Sequence, residues 1–328
     1  MTRTDLLWLA AVTASSLQST DATPPGRQPR RAAPTLTRSA CEGLRPPLRD
    51  ALPVRLRNGA FPDSVQADAY AYVPGGFDAT RRPGLIVYFH GWHGCATAAL
   101  SREDTPCEPG GEPRPASALM AQVDDAQVNA LLLAVELRVD MPSGEPGNLA
   151  MPGHFHAMLR ELLSERLAGA IGCPIEVDAL DRVVVIAHSG GYQAAASVLE
   201  LGDVPQITEV VLLDALYGAQ RVFADWIRDD PDRFGVAGER ALRFIDLYTC
   251  CSGTADASES FAHTAAEALW RAGVTATPID DATDREPDPT MLSHPVVFKR
   301  VPALHAALPR TYVRAILQAA GFARISGR

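Results

Sequence analysis

The segment Arg182-Val-Val-Val-Ile-Ala-His-Ser-Gly-Gly-Tyr-Gln-Ala-Ala-Ala196 decides the fold that we predict for this chain. Its uninterrupted β-branched run, residues 183–186, is typical of a parallel strand that is buried on both faces. The small residues that follow Gln193 predict a helix. The residues between the strand and the helix therefore form a tight turn. Ser189 lies in that turn, with its hydroxyl held out at the carboxyl end of the strand.

The turn from Ala187 to Gly191 resembles the nucleophile elbow of the α/β-hydrolase superfamily. Such an elbow needs small neighbours, because the backbones of the strand and the helix nearly touch there. Gly191 meets this need, and Ala187 is a mild departure from the glycine that is usual at the first position. The resemblance implies that Ser189 is the nucleophile and that the backbone N–H of Gly190 stabilises the oxyanion. The alternative is a glycine-rich turn whose serine only caps a helix.

A second turn that fits the resemblance follows the buried segment 84–89, which runs directly into His90-Gly91-Trp92. In the family, a His-Gly turn of this form after the third strand supplies an oxyanion N–H from the next residue, which here is Trp92. We interpret His90 and His93 as residues that orient the loop rather than as catalytic groups.

Strands and helices alternate along the rest of the chain, which predicts an α/β fold. The resemblance implies the α/β-hydrolase fold, a mostly parallel central sheet flanked by helices. We predict an antiparallel edge strand at 65–73, and either 274–279 or 296–301 as the last strand. Residues 95–115 predict a long loop without secondary structure of its own.

A serine hydroxyl becomes a good nucleophile only when a base takes its proton, and a carboxylate must orient that base. The family has the chain order serine, acid, histidine, and Ser189 and His305 match it because His305 lies directly before the final helix. His294, which precedes a strand-like segment, is the rival base. Asp214 directly ends a buried strand, whereas Asp256 lies in a loop after the next strand. We favour Asp214 as the acid.

Length and composition predict one catalytic domain, because 328 residues of which 47% are hydrophobic can bury a single large core. We assign residues 1–18 to a signal peptide, 19–47 to a flexible Pro/Arg-rich linker and 48–328 to the catalytic domain. The alternative for the first segment is a frayed cytosolic N-terminus. We therefore predict a periplasmic or secreted protein.

Charge and hydropathy restrict the partners of the protein. The net charge is −9 at pH 7 and no basic cluster lies near the candidate site, which argues against nucleic acid or anionic lipid as the main partner. No stretch is long enough to cross a bilayer, so we expect no stable membrane insertion. We expect a monomer.

None of the six cysteines forms a C-x-x-C pair with metal-binding spacing, so we expect no metal site. An even number of cysteines in an exported chain favours disulfides. We predict a bond between Cys95 and Cys107, which lie in one connection. For the adjacent Cys250 and Cys251 we expect other partners or buried free thiols, because a direct link between neighbours would be strained. The partners of Cys41 and Cys173 stay open.

These residues together predict a serine hydrolase that cleaves an ester, in preference to an amide, through an acyl-enzyme and without a cofactor. The substrate would be a small-molecule or cell-envelope ester or amide. One alternative is a catalytically silent α/β-hydrolase-fold module that binds a partner, since a fold does not establish a function. Another is an acyltransferase that uses the same triad.

Overall fold

The computed structural model describes residues 48, 50–64, 66–138, 144–235, 241–274 and 276–325. The proposed signal peptide at 1–18 and the linker at 19–47 lie outside these residues. A large twisted sheet with helices on both faces occupies most of the described chain. Within the described residues, no helix is both long enough and apolar enough to span a membrane.

Among the described residues, nine strands form the central sheet and two more form a separate hairpin. In chain order the strands are β1 (Leu52–Val54), β2 (Ala69–Tyr72), β3 (Gly84–Phe89), β4 (Thr105–Pro106), β5 (Pro113–Arg114), β6 (Ala130–Val135), β7 (Arg182–His188), β8 (Ile207–Leu213), β9 (Arg243–Tyr248), β10 (Ile279–Asp281) and β11 (Val296–Arg300). The spatial order of the sheet is β1-β2-β6-β3-β7-β8-β9-β11-β10, and β4 pairs with β5. The strands from β6 to β10 in this order run parallel, and only β1 and β2 pair antiparallel with their neighbours.

Helices cover the sheet on its two faces, and each face has its own apolar core. The helices are α1 (Ala96–Leu100), α2 (Leu119–Ala126), α3 (His154–Glu161), α4 (Ala168–Ile171), α5 (Tyr192–Leu201), α6 (Gln220–Asp229), α7 (Ala255–Arg271), α8 (Pro289–Leu292) and α9 (Leu308–Ala319). One face packs against α3, α5, α6 and α7, and the other against α1, α2 and α9. Because helices shield both faces, every residue of β3, β6, β8 and β9 is buried, and β3 and β6 accordingly contain no charged residue. This architecture confirms the predicted α/β fold, a mostly parallel central sheet flanked by helices.

Three details differ from the sequence expectations. The segment 65–73 contributes β2, which is antiparallel as predicted. β1 pairs with the outer side of β2 and is itself the edge strand, so β2 is not at the edge. Of the two candidates for the last strand, 296–301 corresponds to β11, whereas 274–279 is not a strand and overlaps β10 only at Ile279; in the sheet, β11 lies between β9 and β10. The segment 95–115 is not structureless, because it contains α1 and the β4–β5 hairpin. Short elements with few apolar residues leave little periodic signal in a sequence, which is why they were missed.

The parallel strands bring several turns to one edge of the sheet. β3, β7 and β8 lie side by side in this order in the sheet, and the carboxyl end of each lies at this edge. The turns that follow begin at His90, Ser189 and Asp214. Ligands of open α/β sheets bind outside the carboxyl ends of the strands, so this edge is where a site is expected.

Candidate active site

Ser189 lies directly after β7 in a strained backbone conformation. Its φ is 52°, in the left-handed region that residues other than glycine rarely adopt. A short 3₁₀ turn over Ser189–Gly191 then leads into α5. A Cβ atom at Gly191 would lie 2.5 Å from the backbone oxygen of Phe89, so a larger residue cannot replace this glycine without a shift of the backbone. The close approach of helix and strand that the sequence indicated is therefore present.

The turn after β3 packs against the serine. A Cβ atom at Gly91 would lie 2.5 Å from the Cβ of Ser189, so the two turns can meet only because residue 91 is glycine. The backbone N–H of Trp92 donates no hydrogen bond to another described residue. Gly190 is buried in the first turn of the 3₁₀ segment, where backbone N–H groups lack acceptors within the helix. Both predicted oxyanion donors, Trp92 and Gly190, thus lie beside Ser189.

His90 holds the turn after β3 in place. Its Nδ1 lies 2.9 Å from the backbone oxygen of Gly91, and its Nε2 accepts a hydrogen bond of 2.9 Å from the backbone N–H of Leu137. These contacts assign the proton to Nδ1, as in a neutral imidazole. His93 has a φ of 56°, and its ring stacks on Trp92 with a centroid separation of 4.3 Å. Both histidines thus contact residues of this turn, and their role in orienting the loop stays a prediction.

His305 and Asp214 form a hydrogen-bonded pair at the same edge. The distance from His305 Nδ1 to Asp214 Oδ2 is 2.8 Å. Asp214 directly follows β8, is fully buried and has a φ of 49°, which is a second strained residue at this edge. His305 opens a short 3₁₀ turn before α9, and its side chain is 35% exposed. Asp214 therefore holds Nδ1 of the imidazole, and the rest of the ring is partly exposed in the cleft.

Hydroxyl groups from one loop surround the carboxylate of Asp214. Thr249 donates its backbone N–H at 3.2 Å and its hydroxyl at 2.7 Å. Ser252 donates its hydroxyl at 2.5 Å, and Thr254 donates a further hydroxyl. Burial alone would raise the pKa of Asp214, but the hydrogen bonds from His305 and these hydroxyls outweigh it and lower the pKa to about 2. Asp214 is therefore ionised at neutral pH.

The rival candidates lie elsewhere. Asp256 is exposed in the first turn of α7, which is a common position for a carboxylate near a helix N-terminus. His294 precedes β11 and so lies at the amino ends of the parallel strands, the edge opposite to Ser189. The structure brings Ser189, His305 and Asp214 together and leaves Asp256 and His294 out.

One residue of this site was not singled out from the sequence. His188, directly before Ser189, has its Nε2 3.0 Å from the backbone oxygen of His305, and the two rings lie with centroids 4.8 Å apart. Burial, together with the nearby His305, lowers the pKa of His188 to about 4. A neutral His188 can donate its Nε2–H to that oxygen and hold the His305 segment. No local signal marks this role, because the contact joins residues that are distant in the chain.

A cavity of about 190 Å³ opens beside the serine. Its lining includes Ser189, His188 and His305 together with the turn from Gly91 to Cys95. Ser189 makes no side-chain hydrogen bond to another described residue, and contacts of a catalytic serine often tighten only when a substrate is bound. No group of three or more His, Cys, Asp or Glu residues that could hold a metal ion occurs in the described part of the chain.

Two disulfides lie close to this edge. Cys95 is joined to Cys107, as predicted, with their Cα atoms 5.7 Å apart. Cys250 is joined to its neighbour Cys251, so the expectation of other partners or free thiols was wrong. The bond is possible because the turn after β9 brings the two sulfur atoms together, and this backbone geometry cannot be read from the pair alone. Cys173 is also disulfide-bonded, whereas Cys41 lies outside the described residues.

Comparison with known proteins gives structural likeness only. No family model matches the chain, and no curated protein matches it. A solved structure with a similar fold is a mutant of the feruloyl esterase module from Clostridium thermocellum in complex with sinapinate. Its TM-score is 0.48 and its identity 12%, over 88% of this chain and 93% of that chain.

Two further structures are similar. One is a ferulic acid esterase from Anaeromyces mucronatus in complex with ferulic acid, with a TM-score of 0.42 and 11% identity over 87% of this chain and 97% of that chain. The other is a butyrate-bound thermophilic esterase from Thermogutta terrifontis, with a TM-score of 0.40 and 15% identity over 79% of this chain and 88% of that chain. At such identities, the activity of this chain has to be argued from its own site.

Proposed function

We propose that this protein is a serine hydrolase that cleaves carboxylic esters. The observation that carries the proposal is the hydrogen bond of 2.8 Å between His305 and a buried, ionised Asp214, in a cleft that also presents the strained Ser189. A silent binding module does not need this arrangement, because the strain at Ser189 and the burial of the Asp214 charge are costly unless they serve a reaction.

The proposed reaction has two halves. His305 Nε2 takes the proton from Ser189 Oγ, and Oγ attacks the ester carbonyl to form a tetrahedral intermediate. The backbone N–H groups of Trp92 and Gly190 stabilise its oxyanion. His305 then gives the proton to the departing alcohol, which leaves an acyl group on Ser189. In the second half, His305 takes a proton from water as the water oxygen attacks the acyl carbon. The bond from that carbon to Ser189 Oγ then breaks, His305 returns the proton to Oγ, and the carboxylic acid leaves.

Asp214 supports both halves through His305. Its ionised carboxylate accepts the Nδ1–H, which leaves Nε2 free to act as the base and stabilises the imidazolium that forms. The hydroxyls of Thr249, Ser252 and Thr254 keep the carboxylate oriented and charged. No cofactor takes part in this scheme.

The test is covalent labelling with a fluorophosphonate, followed by a panel of aryl esters and amides. Ser189→Ala should abolish labelling and lower ester turnover by several orders of magnitude, since only the oxyanion donors and binding remain. Ser293→Ala, an exposed serine before β11 at the opposite edge, is the matched control and should behave as the unaltered protein. Full activity or full labelling of the Ser189→Ala protein would overturn the proposal.

We also propose that the protein acts outside the cytoplasm. Disulfides persist in oxidising compartments, and the structure contains the pairs Cys95–Cys107 and Cys250–Cys251. Sequencing the N-terminus of protein recovered from the periplasm or the medium should find a chain that starts near residue 19. Recovery of the full-length chain from the cytoplasm alone, with both pairs reduced, would contradict this proposal.

A further inference from the structure

The cavity at the candidate active site carries a cation that the proposed mechanism does not use. Arg114 lines this cavity together with Ser189 and His305, and it is partly buried. Its guanidinium makes no hydrogen bond and no ion pair with any described residue. No aspartate or glutamate is among the described residues that line the cavity. In a chain of net charge −9, the fixed charge at this cavity is therefore positive.

The carboxylates of neighbouring segments are engaged elsewhere. Asp104 accepts a hydrogen bond of 2.9 Å from the backbone N–H of Ala116. Glu136 accepts one of 3.1 Å from the backbone N–H of Ala96. A partly buried guanidinium has lost part of its hydration, so a partner from outside the chain would gain from binding it.

The backbone holds Arg114 in a fixed place on the cavity wall. Arg114 ends β5, and it pairs with Thr105 of β4 in the hairpin. Cys107 directly follows β4 and is joined to Cys95, the residue that precedes α1 and itself lines the cavity. The disulfide thus ties the strand pair that carries the cation to the turn that carries the oxyanion donors.

We propose that Arg114 binds a carboxylate of the substrate, so that the preferred substrates are esters with a carboxylate on their acyl or alcohol part. This proposal rests on the proposed ester hydrolysis. The planar guanidinium matches the two oxygens of a carboxylate in a bidentate pair. The hydroxyl-bearing Ser117 and Tyr88 line the same cavity and offer neutral partners to the rest of such a group.

The experiment compares the kcat/KM values of matched esters that differ in one charge. In the first pair, para-acetoxybenzoate carries a carboxylate on its alcohol part and para-acetoxybenzamide is the neutral match. In the second pair, phenyl hemisuccinate carries a carboxylate on its acyl part and phenyl isocaproate is the neutral match. The uncatalysed rates are subtracted. The unaltered protein should prefer the anionic ester of at least one pair by roughly 10- to 100-fold, as expected for a charge-assisted hydrogen-bonded pair. Added salt should reduce this preference.

Substitution of the arginine identifies the cause of the preference. Arg114→Gln should lower kcat/KM for the anionic ester by the same roughly 10- to 100-fold and leave the neutral ester unchanged. Arg114→Lys keeps the positive charge but not the planar guanidinium that can bind both carboxylate oxygens, so it should retain only part of the preference. Arg102→Gln changes the same charge at an exposed position of the same segment and should have no effect. Equal losses for both esters of a pair, or no preference in the unaltered protein, would overturn the proposal.

A binding measurement separates the proposed carboxylate site at Arg114 from the proposed ester hydrolysis. Benzoate and benzamide can be titrated into the Ser189→Ala protein by calorimetry, which needs no turnover. Tighter binding of benzoate that Arg114→Gln abolishes supports the anion site even if no ester is cleaved. Equal binding of both compounds, in a protein that does cleave esters, would refute the anion site alone.

Discussion

His305 Nδ1 lies 2.8 Å from Asp214 Oδ2, although 91 positions separate the two residues in the chain. The sheet order explains the contact. Asp214 follows β8, and the strand that leads towards His305, β11, is separated from β8 only by β9. The two loops therefore leave the same edge of the sheet within reach of each other.

Asp214→Asn should lower kcat for an ester substrate by about 10⁴-fold, because an amide cannot accept Nδ1–H in the same way and the imidazole takes the wrong tautomer. Asp256→Asn, at an exposed position of α7, should change kcat little. Steady-state kinetics of the two variants measures the difference. The opposite pattern would move the acid to Asp256.

Cys107→Ser should lower activity more than it lowers stability. The lost bond closes a loop of sequence separation 12, which the loop-entropy model values at roughly 3 kcal/mol of unfolding free energy, less any strain in the native state. The same bond holds the segment that carries Arg114 and the turn beside Trp92, so kcat/KM for anionic esters should fall further. Denaturant unfolding and ester kinetics give the two quantities, and non-reducing peptide mapping verifies the bond. Unchanged kinetics in a destabilised protein would show that the bond has no part in the site.

His188→Phe should lower kcat by roughly 10-fold, because phenylalanine keeps the ring but cannot donate to the backbone oxygen of His305. The loss should be in kcat rather than in KM, since His188 acts through the position of His305. His188→Gln, which retains an N–H donor, should recover part of the rate. If phenylalanine and glutamine have the same effect, the hydrogen bond is not the cause.

Asp246 provides a test of stability against pH. This residue of β9 is fully buried, and neither carboxylate oxygen has a hydrogen-bond partner among the described residues. Burial, with the nearby charge of Asp214, raises its pKa to about 7. Between pH 4 and 7 the unfolded chain has lost this proton and the native protein has kept it, so stability falls as the pH rises through this window.

Asp246→Asn removes that titration. The difference in unfolding free energy between the Asn variant and the unaltered protein should grow in favour of the variant from pH 4 to 8, by on the order of 4 kcal/mol. Denaturant unfolding at several pH values measures it. Asp280→Asn, at an exposed position of β10, should leave the pH dependence unchanged. A difference that stays constant with pH would mean that Asp246 is ionised in the native protein.

Neighbouring residues alone determined the elbow and the general class of fold. The β-branched run before Ser189 and the glycines after it specify a buried strand and a tight turn through local sterics, so they could be predicted from the sequence. The turn at Gly91 and the place of His305 before the final helix were expected from the resemblance to the α/β-hydrolase superfamily, and the bond between Cys95 and Cys107 from their place in one connection.

Only the tertiary structure decided which distant groups meet. The sequence favoured Asp214 over Asp256 only by its place at the end of a buried strand, whereas in the structure the loop 249–254 wraps its hydroxyls around Asp214 and α7 leaves Asp256 exposed. The contact of His188 with the His305 segment, and the place of Arg114 in the cavity without a partner among the described residues, could not be predicted for the same reason. Such contacts depend on the order in which strands join the sheet and on the path of each loop, which many weak interactions fix together and no short stretch of sequence encodes.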